Sequence, residues 1–99
     1  MEKRIDYSKA IIIYRNWPDV FPKSDRAAII QEFGERHAET IIGYIDKVTS
    51  EAFETNIDWD VCDLITAGER VYERMAILHP ELSEDALRAT SRYYMYCSK

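Results

Sequence analysis

Apolar side chains recur every three or four positions along most of the chain, which is the spacing of one face of an α-helix. The first such segment is "DYSKAIIIYRNW", which begins at a suitable N-cap, Asp6. Its consecutive isoleucines would also suit a short buried strand. The residues that share its apolar face are Tyr7, Ala10, Ile11 and Tyr14. Their spacing predicts a helix over 6–17, followed by a loop at "WPDVFP".

A longer amphipathic segment follows this loop. Its predicted N-cap is Ser24, and Asp25 lies in the first turn, where a negative charge stabilises the helix dipole. The apolar positions of the segment are Ile29, Ile30, Phe33, Ile41, Tyr44, Ile45 and Val48. Gly34 interrupts the pattern, so we expect either a kink or two helices that meet near residues 34–39.

Two further helices are predicted in the second half of the chain. One runs from Asp58 to Leu78 and stops at "HP", and the other begins after a predicted N-cap at Ser83. Their apolar stripes contain Trp59, Cys62, Ile65, Val71, Tyr72, Met75 and Leu78 in the first, and Leu87, Ser91, Tyr94 and Cys97 in the second. We therefore expect an all-α fold, a single-domain bundle of four or five helices over residues 1–99.

The composition of the chain argues against several classes of partner. Its 99 residues are 46% hydrophobic and carry a net charge of −5. Nucleic acids and anionic membranes both select for Lys and Arg, so we expect neither as a partner, and an acidic chain instead favours basic proteins. The N-terminal apolar run is too short for a signal sequence or a membrane span, and the two cysteines form no CxxC motif. We therefore expect free thiols and a cytoplasmic location.

Three aspartates surround a tryptophan and a cysteine in "NIDWDVCDLI", residues 56–65. A calcium loop would need a central glycine and a terminal glutamate, which this stretch lacks. Carboxylates also collect at helix N-termini because the helix dipole favours them. This interpretation turns Trp59 and Cys62 inward and the aspartates outward. A carboxylate whose pKa is raised against Trp59 stays open as an alternative, since such a group performs acid–base catalysis.

The remaining sequence contains no recognisable catalytic set. His37 lies in a charged run, His79 precedes a proline at a helix end, and neither has a partner at metal-ligand spacing. Cys62 and Cys97 are predicted on apolar helical faces, where buried and unreactive thiols are the common case. A Ser-His-Asp set, a Walker loop and a GxGxxG turn are all missing. We therefore predict a protein that is not an enzyme and that uses no metal and no cofactor.

Charge is strongly segregated along the chain. Residues 27–69 hold two basic and ten acidic side chains, whereas the segments on either side are slightly basic. Between positions 48 and 69 there is no Lys or Arg, and the acids are Glu51, Glu54, Asp58, Asp60, Asp63 and Glu69. A region of one sign costs stability through self-repulsion. The segregation therefore indicates either a binding surface or a device for solubility.

Tyrosines are frequent, with seven in the chain, and Tyr93, Tyr94 and Tyr96 crowd the last predicted helix. A helix with about 3.6 residues per turn cannot direct all three rings at one core. We expect Tyr93 or Tyr96 to be partly exposed. Such a ring is either an anchor at a protein interface or a side chain at the edge of the core with its hydroxyl in water.

A small acidic domain with spare aromatic surface and no catalytic groups suits the binding of a basic protein. In its size, its acidic stretch "SEAFETNIDWDVCD" and the tyrosines of "SRYYMYCSK", the chain resembles the small helical immunity proteins that bacteria make against polymorphic or contact-dependent toxins. The resemblance implies a cytosolic inhibitor that blocks or distorts the active site of a basic, nuclease-like toxin. The candidate contact residues are Glu51, Glu54, Asp58, Asp60 and Asp63, with Tyr93 and Tyr96 as anchors.

Two alternatives make different structural predictions. A homo-oligomer, such as a homodimeric scaffold or a regulatory subunit, would bury apolar helix faces against copies of itself. A small carboxylate-based enzyme or metal binder would join Asp60 or Asp63 to a residue of another helix in a concave site. A convex acidic face would favour the binding protein over the enzyme.

Overall fold

Five α-helices make up the computed structural model, which describes residues 5–19 and 21–98. No strand occurs in these ranges. Helix α5 packs against α1, α3 and α4, while α2 packs against α1 and α3. The prediction of an all-α bundle is therefore confirmed. The helices are α1 (Tyr7–Arg15), α2 (Arg26–Phe33), α3 (Glu35–Phe53), α4 (Leu64–Leu78) and α5 (Glu84–Cys97).

The N-caps follow the predictions at two helices and depart from them at a third. Asp6 accepts a hydrogen bond from the backbone of Lys9 at the start of α1, and Ser83 caps α5. The predicted cap at Ser24 is wrong, because Asp25 caps α2 through the backbone N–H of Ala28. Both residue types can cap a helix, but the Ser24 hydroxyl accepts a hydrogen bond from the Arg15 side chain instead.

Gly34 separates α2 from α3, so the two-helix alternative is the one that occurs. Its φ of 90° lies in the left-handed region, which side chains with a Cβ disfavour. Its N–H donates to the carbonyl of Ile30 and closes α2, and α3 begins at the next residue. The chain turns here without any intervening loop.

The start of α4 differs from the prediction. Residues 58–62 form a turn outside the helix, and Asp63 is the N-cap, accepting a hydrogen bond of 2.7 Å from the backbone of Thr66. The Asp58 carboxylate accepts from the backbone N–H of Asp60 at 3.0 Å. Short acidic side chains offer the backbone such local bonds in place of helical ones. Trp59, predicted to face inward, is consequently 50% exposed.

The buried face of α4 also differs from the predicted stripe. Val71 and Met75 are buried as expected, but Ile65 and Leu78 are exposed. Small residues face α5 instead, and a Cβ at Gly68 would lie only 2.4 Å from the Met95 sulfur. The predicted burial of Cys97 is likewise wrong, because its side chain is exposed, and Cys62 is only half-buried. The largest fully buried side chains of the described residues are Ile11, Ile29, Ile41, Ile45, Val48, Val71 and Met75.

A buried arginine joins four parts of the fold. The Arg15 guanidinium donates to the hydroxyls of Ser24 at 2.6 Å and Thr49 at 2.8 Å. It also lies 3.6 Å from the ring centre of Tyr93, a cation–π contact. Burial lowers the pKa of this guanidinium. Because these partners belong to the loop before α2, to α3 and to α5, Arg15 fixes that loop on the bundle.

Candidate functional site

Two pockets lie on either side of the C-terminal half of α5. The first, which we call the acidic pocket, encloses about 750 Å³ beside the loop that joins α3 to α4. It opens widely to solvent, and the carboxylate in its wall is that of Glu54. Its lining residues are Phe53, Glu54, Thr55, Asn56, Ile57, Trp59, Tyr94 and Ser98.

The loop over residues 54–63, which we call the acidic loop, is stabilised largely by short-range hydrogen bonds. The Asp58 carbonyl accepts from the backbone N–H of Cys62 at 2.9 Å. At the other end, the Arg74 side chain donates to the carbonyl of Glu51 and to the hydroxyl of Thr55. These contacts use backbone groups and side chains at the ends of the loop. The side chains in its middle are left facing solvent.

Four acidic side chains of this loop carry uncompensated charge. Each of them is exposed, and none forms an ion pair with a side chain in the described parts of the sequence. They are Glu54, Asp58, Asp60 and Asp63. The other two acids of the same stretch have partners, since Glu51 accepts from His79 at 3.1 Å and Glu69 from Arg88 at 3.2 Å. The structure therefore divides the predicted acidic set into a free group and a paired group.

Large apolar side chains are exposed among these carboxylates. Trp59 and Val61 are 50% and 79% exposed, and Ile65, just inside α4, is 73% exposed. Phe53 is also exposed, at the end of α3. An exposed apolar side chain is common when it stands alone, but a group of them with a polar rim marks an interaction site. Because acidic and apolar positions alternate along this loop, its surface carries both negative charge and exposed apolar area.

The two candidate tyrosine anchors occupy different places. Tyr96 is 44% exposed, which confirms that one of the pair is partly accessible, but it lies at the second pocket. Tyr93 is half-buried, with its ring over Arg15 and edge-on to Phe53 at a centroid distance of 6.4 Å. Tyr93 therefore contacts Phe53, which lines the acidic pocket, but does not line the pocket itself. Trp59 is the aromatic residue closest in sequence to these carboxylates. Its exposure was not expected, because the predicted helix directed its side chain toward the core.

Glu51 belongs to a hydrogen-bonded network around His79. The two ring nitrogens of His79 meet the carboxylates of Glu51 and Glu81 at 3.1 and 3.0 Å. Tyr44 donates to Glu81, and burial together with that carboxylate raises the pKa of Tyr44 to about 12. The network ties the end of α3 to the turn between α4 and α5.

The second pocket, which we call the cationic groove, encloses about 490 Å³ on the opposite side of α5. One wall is the loop after α1, and the other is formed by the first turns of α4 and by α5. Most of its surface is apolar, with two guanidinium groups and one carboxylate. Its lining residues are Trp17, Phe21, Pro22, Leu64, Glu69, Arg88, Ser91, Arg92, Met95 and Tyr96.

The carboxylates named in the enzyme alternative lie outside both pockets. Asp60 and Asp63 line neither of them. The hydrogen bond from the backbone of Thr66 lowers the pKa of Asp63, whereas a general acid needs a raised pKa. Within residues 5–19 and 21–98, no three or more His, Cys, Asp or Glu side chains are grouped so that they could hold a metal ion.

Among the helices described, none has both the length and the apolar character that crossing a bilayer requires. Comparison of the chain with protein-family models, curated proteins and solved structures finds no match. The two pockets and the acidic loop are therefore the features of this chain that bear on its function.

Proposed function

We propose that this chain is a protein-binding module whose acidic loop and acidic pocket engage a basic partner protein. The observation that carries the proposal is the combination of unpaired carboxylates and exposed apolar side chains on one short loop. A face that served only solubility would gain nothing from presenting Trp59 and Val61 to water. A face that binds a protein requires apolar area for the centre of the contact and charge for its rim.

The charges and the rings would act at different stages of binding. Glu54, Asp58, Asp60 and Asp63 attract a basic surface over several ångströms and raise the association rate. Trp59 then supplies desolvated area at the contact, which is the usual role of a tryptophan hot spot. The carboxylates at the rim keep part of their hydration, so their main contribution is to speed and selectivity.

The acidic pocket suits a lysine or arginine side chain of the partner. Its wall combines the Glu54 carboxylate with the rings of Phe53 and Trp59. A guanidinium or ammonium group is attracted both by a carboxylate and by the face of an aromatic ring. No basic side chain of the described residues lines this pocket. A basic side chain from a partner would therefore meet no repulsion from the pocket wall.

The more specific form of the proposal is inhibition of a basic toxin in the cytoplasm. In that form the carboxylates of the acidic loop occupy the positions where a nuclease binds the phosphates of its substrate. The protein would then act by occlusion alone, without metal, cofactor or catalytic step. The support for this form is the acidic surface together with the resemblance to small helical immunity proteins.

The test compares a charge-reversed variant with a matched control in capture from the lysate of the host. Glu54→Lys with Asp60→Lys reverses two exposed carboxylates of the acidic loop for which no side-chain hydrogen bond is observed. Asp46→Lys with Glu73→Lys reverses two exposed carboxylates on other helices. We expect a basic protein to be held by the unmodified chain and by the control, and to be lost from the loop variant.

Kinetics on the purified pair sharpen this test. We expect reversal of the loop charges to slow association roughly tenfold or more and to weaken its dependence on salt. Equal association rates for the loop variant and the control would refute the electrostatic part of the proposal. Capture of the chain by itself alone, at every salt concentration, would favour the homo-oligomeric scaffold instead.

A further inference from the structure

The acidic pocket combines two exposed aromatic rings with a carboxylate. Phe53, at the end of α3, is 45% exposed, and Trp59, in the acidic loop, is 50% exposed. Both rings line the pocket together with Glu54, which is also exposed. The neutral polar side chains of the lining are those of Thr55, Asn56 and Ser98. One concave surface thus offers aromatic faces, a full negative charge and neutral hydrogen-bond acceptors.

The two rings are positioned by contacts that are already formed in the free protein. The Phe53 ring packs on the buried ring of Tyr94, with centroids 5.1 Å apart and a tilt of 55°. Trp59 lies in a turn that is closed by the hydrogen bond of 2.9 Å from the Cys62 N–H to the Asp58 carbonyl. Because these contacts exist before a ligand arrives, the entropic cost of ordering the pocket on binding is low.

The Glu54 carboxylate is available to a ligand. Its side chain forms no ion pair with the basic side chains that the structure describes. Arg74 donates to the Thr55 hydroxyl at 3.3 Å and to the Glu51 carbonyl, and it lies outside the lining of the pocket. A cation that entered the pocket would therefore pair with Glu54 without displacing an existing ion pair.

Three kinds of organic cation could pair with such a surface, and they differ in shape and hydration. A lysine ammonium is a compact, strongly hydrated point charge. A quaternary ammonium group has no N–H with which to donate to a carboxylate. A guanidinium is planar and weakly hydrated, so it stacks on an aromatic face and donates two parallel hydrogen bonds to a carboxylate. Of the three, the guanidinium alone makes full use of the rings, the Glu54 carboxylate and the neutral acceptors.

We infer that the acidic pocket recognises an arginine side chain of the basic partner in preference to a lysine. The guanidinium lies on the face of Phe53 or Trp59 and donates to Glu54, and its other N–H groups face Asn56 and Ser98. The volume of about 750 Å³ leaves space for the residues that flank the arginine. This inference rests on the proposed function, because it names the chemical group by which the partner is bound.

The experiment uses the peptide acetyl-Gly-Arg-Gly-amide as the probe and Trp59 as the reporter. The chain has two tryptophans, so Trp17→Phe leaves Trp59 as the only one. We expect the arginine peptide to change the Trp59 emission saturably, with one site per chain. The same peptide with lysine should bind roughly fivefold more weakly, because an ammonium lacks the planar stacking and the paired hydrogen bonds.

Two further probes separate charge from shape. A peptide with citrulline keeps the planar end of arginine but has no charge, and should bind roughly tenfold more weakly than the arginine peptide. Tetramethylammonium carries charge but no N–H donor, and should also bind more weakly. Equal affinity for arginine and lysine, tighter binding of tetramethylammonium, or no saturation by the arginine peptide would each overturn the inference.

Matched variants of the acidic loop locate the charge that the arginine meets. Glu54→Gln should weaken binding of the arginine peptide roughly tenfold, because the charge-assisted hydrogen bonds are lost. Asp60→Asn removes an equal charge from an exposed position outside the pocket, and should weaken binding less than about twofold. Equal losses in the two variants would mean that only the general field of the loop attracts the peptide, and would overturn the assignment to the pocket.

The peptide and partner experiments can fail separately. If the peptides bind alike while the basic partner is still captured through the acidic loop, the arginine preference is overturned and the proposed function stands. If the arginine peptide is preferred but no basic protein is captured, the pocket recognises arginine as such. The assignment of that arginine to a partner protein is then overturned together with the proposed function.

Discussion

The two pockets beside α5 differ both in charge and in the contacts that stabilise their walls. The acidic pocket is bordered by a loop whose middle is held by hydrogen bonds among its own backbone and aspartate side chains, and the carboxylates of this loop form no ion pair with the described residues. The cationic groove is bordered by helices and by a loop that the buried Arg15 fixes, and its Arg88 is already paired with Glu69. The acidic loop thus presents carboxylates without ion pairs at an open surface, whereas the cationic groove carries its charged side chains on walls that other contacts fix.

This difference shows how neighbouring positions of one helix can serve opposite surfaces. Tyr94 and Ser98 face the acidic pocket, while Met95 and Tyr96 face the cationic groove. Substitutions one residue apart on α5 therefore test different sites. The contrast also separates two physical roles, since free charge at an open surface mainly affects association rate, and charge in an enclosed apolar groove mainly affects affinity.

The largest effect should follow from Arg15→Met, which removes the support of the groove wall. We expect the free energy of unfolding to fall by about 3 kcal/mol, because the buried guanidinium's hydrogen bonds to the hydroxyls of Ser24 and Thr49 and its cation–π contact with Tyr93 are lost. Denaturation by urea measures this change.

Arg36→Met is the matched control for that prediction. Arg36 is exposed on α3, and its replacement should change the unfolding free energy by no more than about 0.5 kcal/mol. Equal losses in the two variants would mean that Arg15 acts as an ordinary surface charge and does not hold the loop.

An intermediate effect is expected from Trp59→Ala in the acidic pocket. The affinity for the captured basic partner should fall by about 2 kcal/mol, the scale of an interface hot spot. Stability should hardly change, because half of the side chain is already in water. Calorimetric titration measures the affinity. Ile77→Ala removes a more exposed apolar side chain at the far end of α4, and a matching loss of affinity there would argue against Trp59 as an anchor.

The smallest effect concerns pH and the N-cap of α4, beside the acidic loop. The backbone bond from Thr66 lowers the pKa of Asp63 below its ordinary value of 3.8. The resulting stabilisation is present above 3.8 and is lost as the pH falls through the lower pKa of the folded state. Asp63→Asn keeps an oxygen for the cap but does not titrate. The excess stability of the unmodified chain over this variant should therefore disappear in strong acid, and an excess that stayed constant with pH would contradict the assignment.

Local signals in the sequence predicted most of the fold. Helical spacing, the caps at Asp6 and Ser83 and the interruption at Gly34 each depend on neighbours a few residues away, and each appears in the structure. The predicted start of α4 was wrong because two aspartates accept hydrogen bonds from nearby backbone N–H groups, so that the helix begins later in the chain. Helical spacing alone does not register that competition.

Features that depend on distant residues could not be predicted. The acidic stretch was visible in the sequence, but Glu51 and Glu69 have partners that come from the end of α4 and from α5. The cationic groove joins three separate segments of the chain, so none of them indicates it alone. Burial of Arg15 similarly depends on the ring of Tyr93 in α5, at the other end of the chain.

The close approach of Gly68 to Met95 couples two positions that a sequence comparison would treat as unrelated. Any β-carbon at position 68 must displace the Met95 side chain, because the gap is only 2.4 Å. Gly68 itself does not line the cationic groove, but Met95 does. Homologous sequences should therefore show covariation, in which a larger residue at 68 accompanies a smaller one at 95, and the volume of the groove would evolve through a residue that never touches its contents.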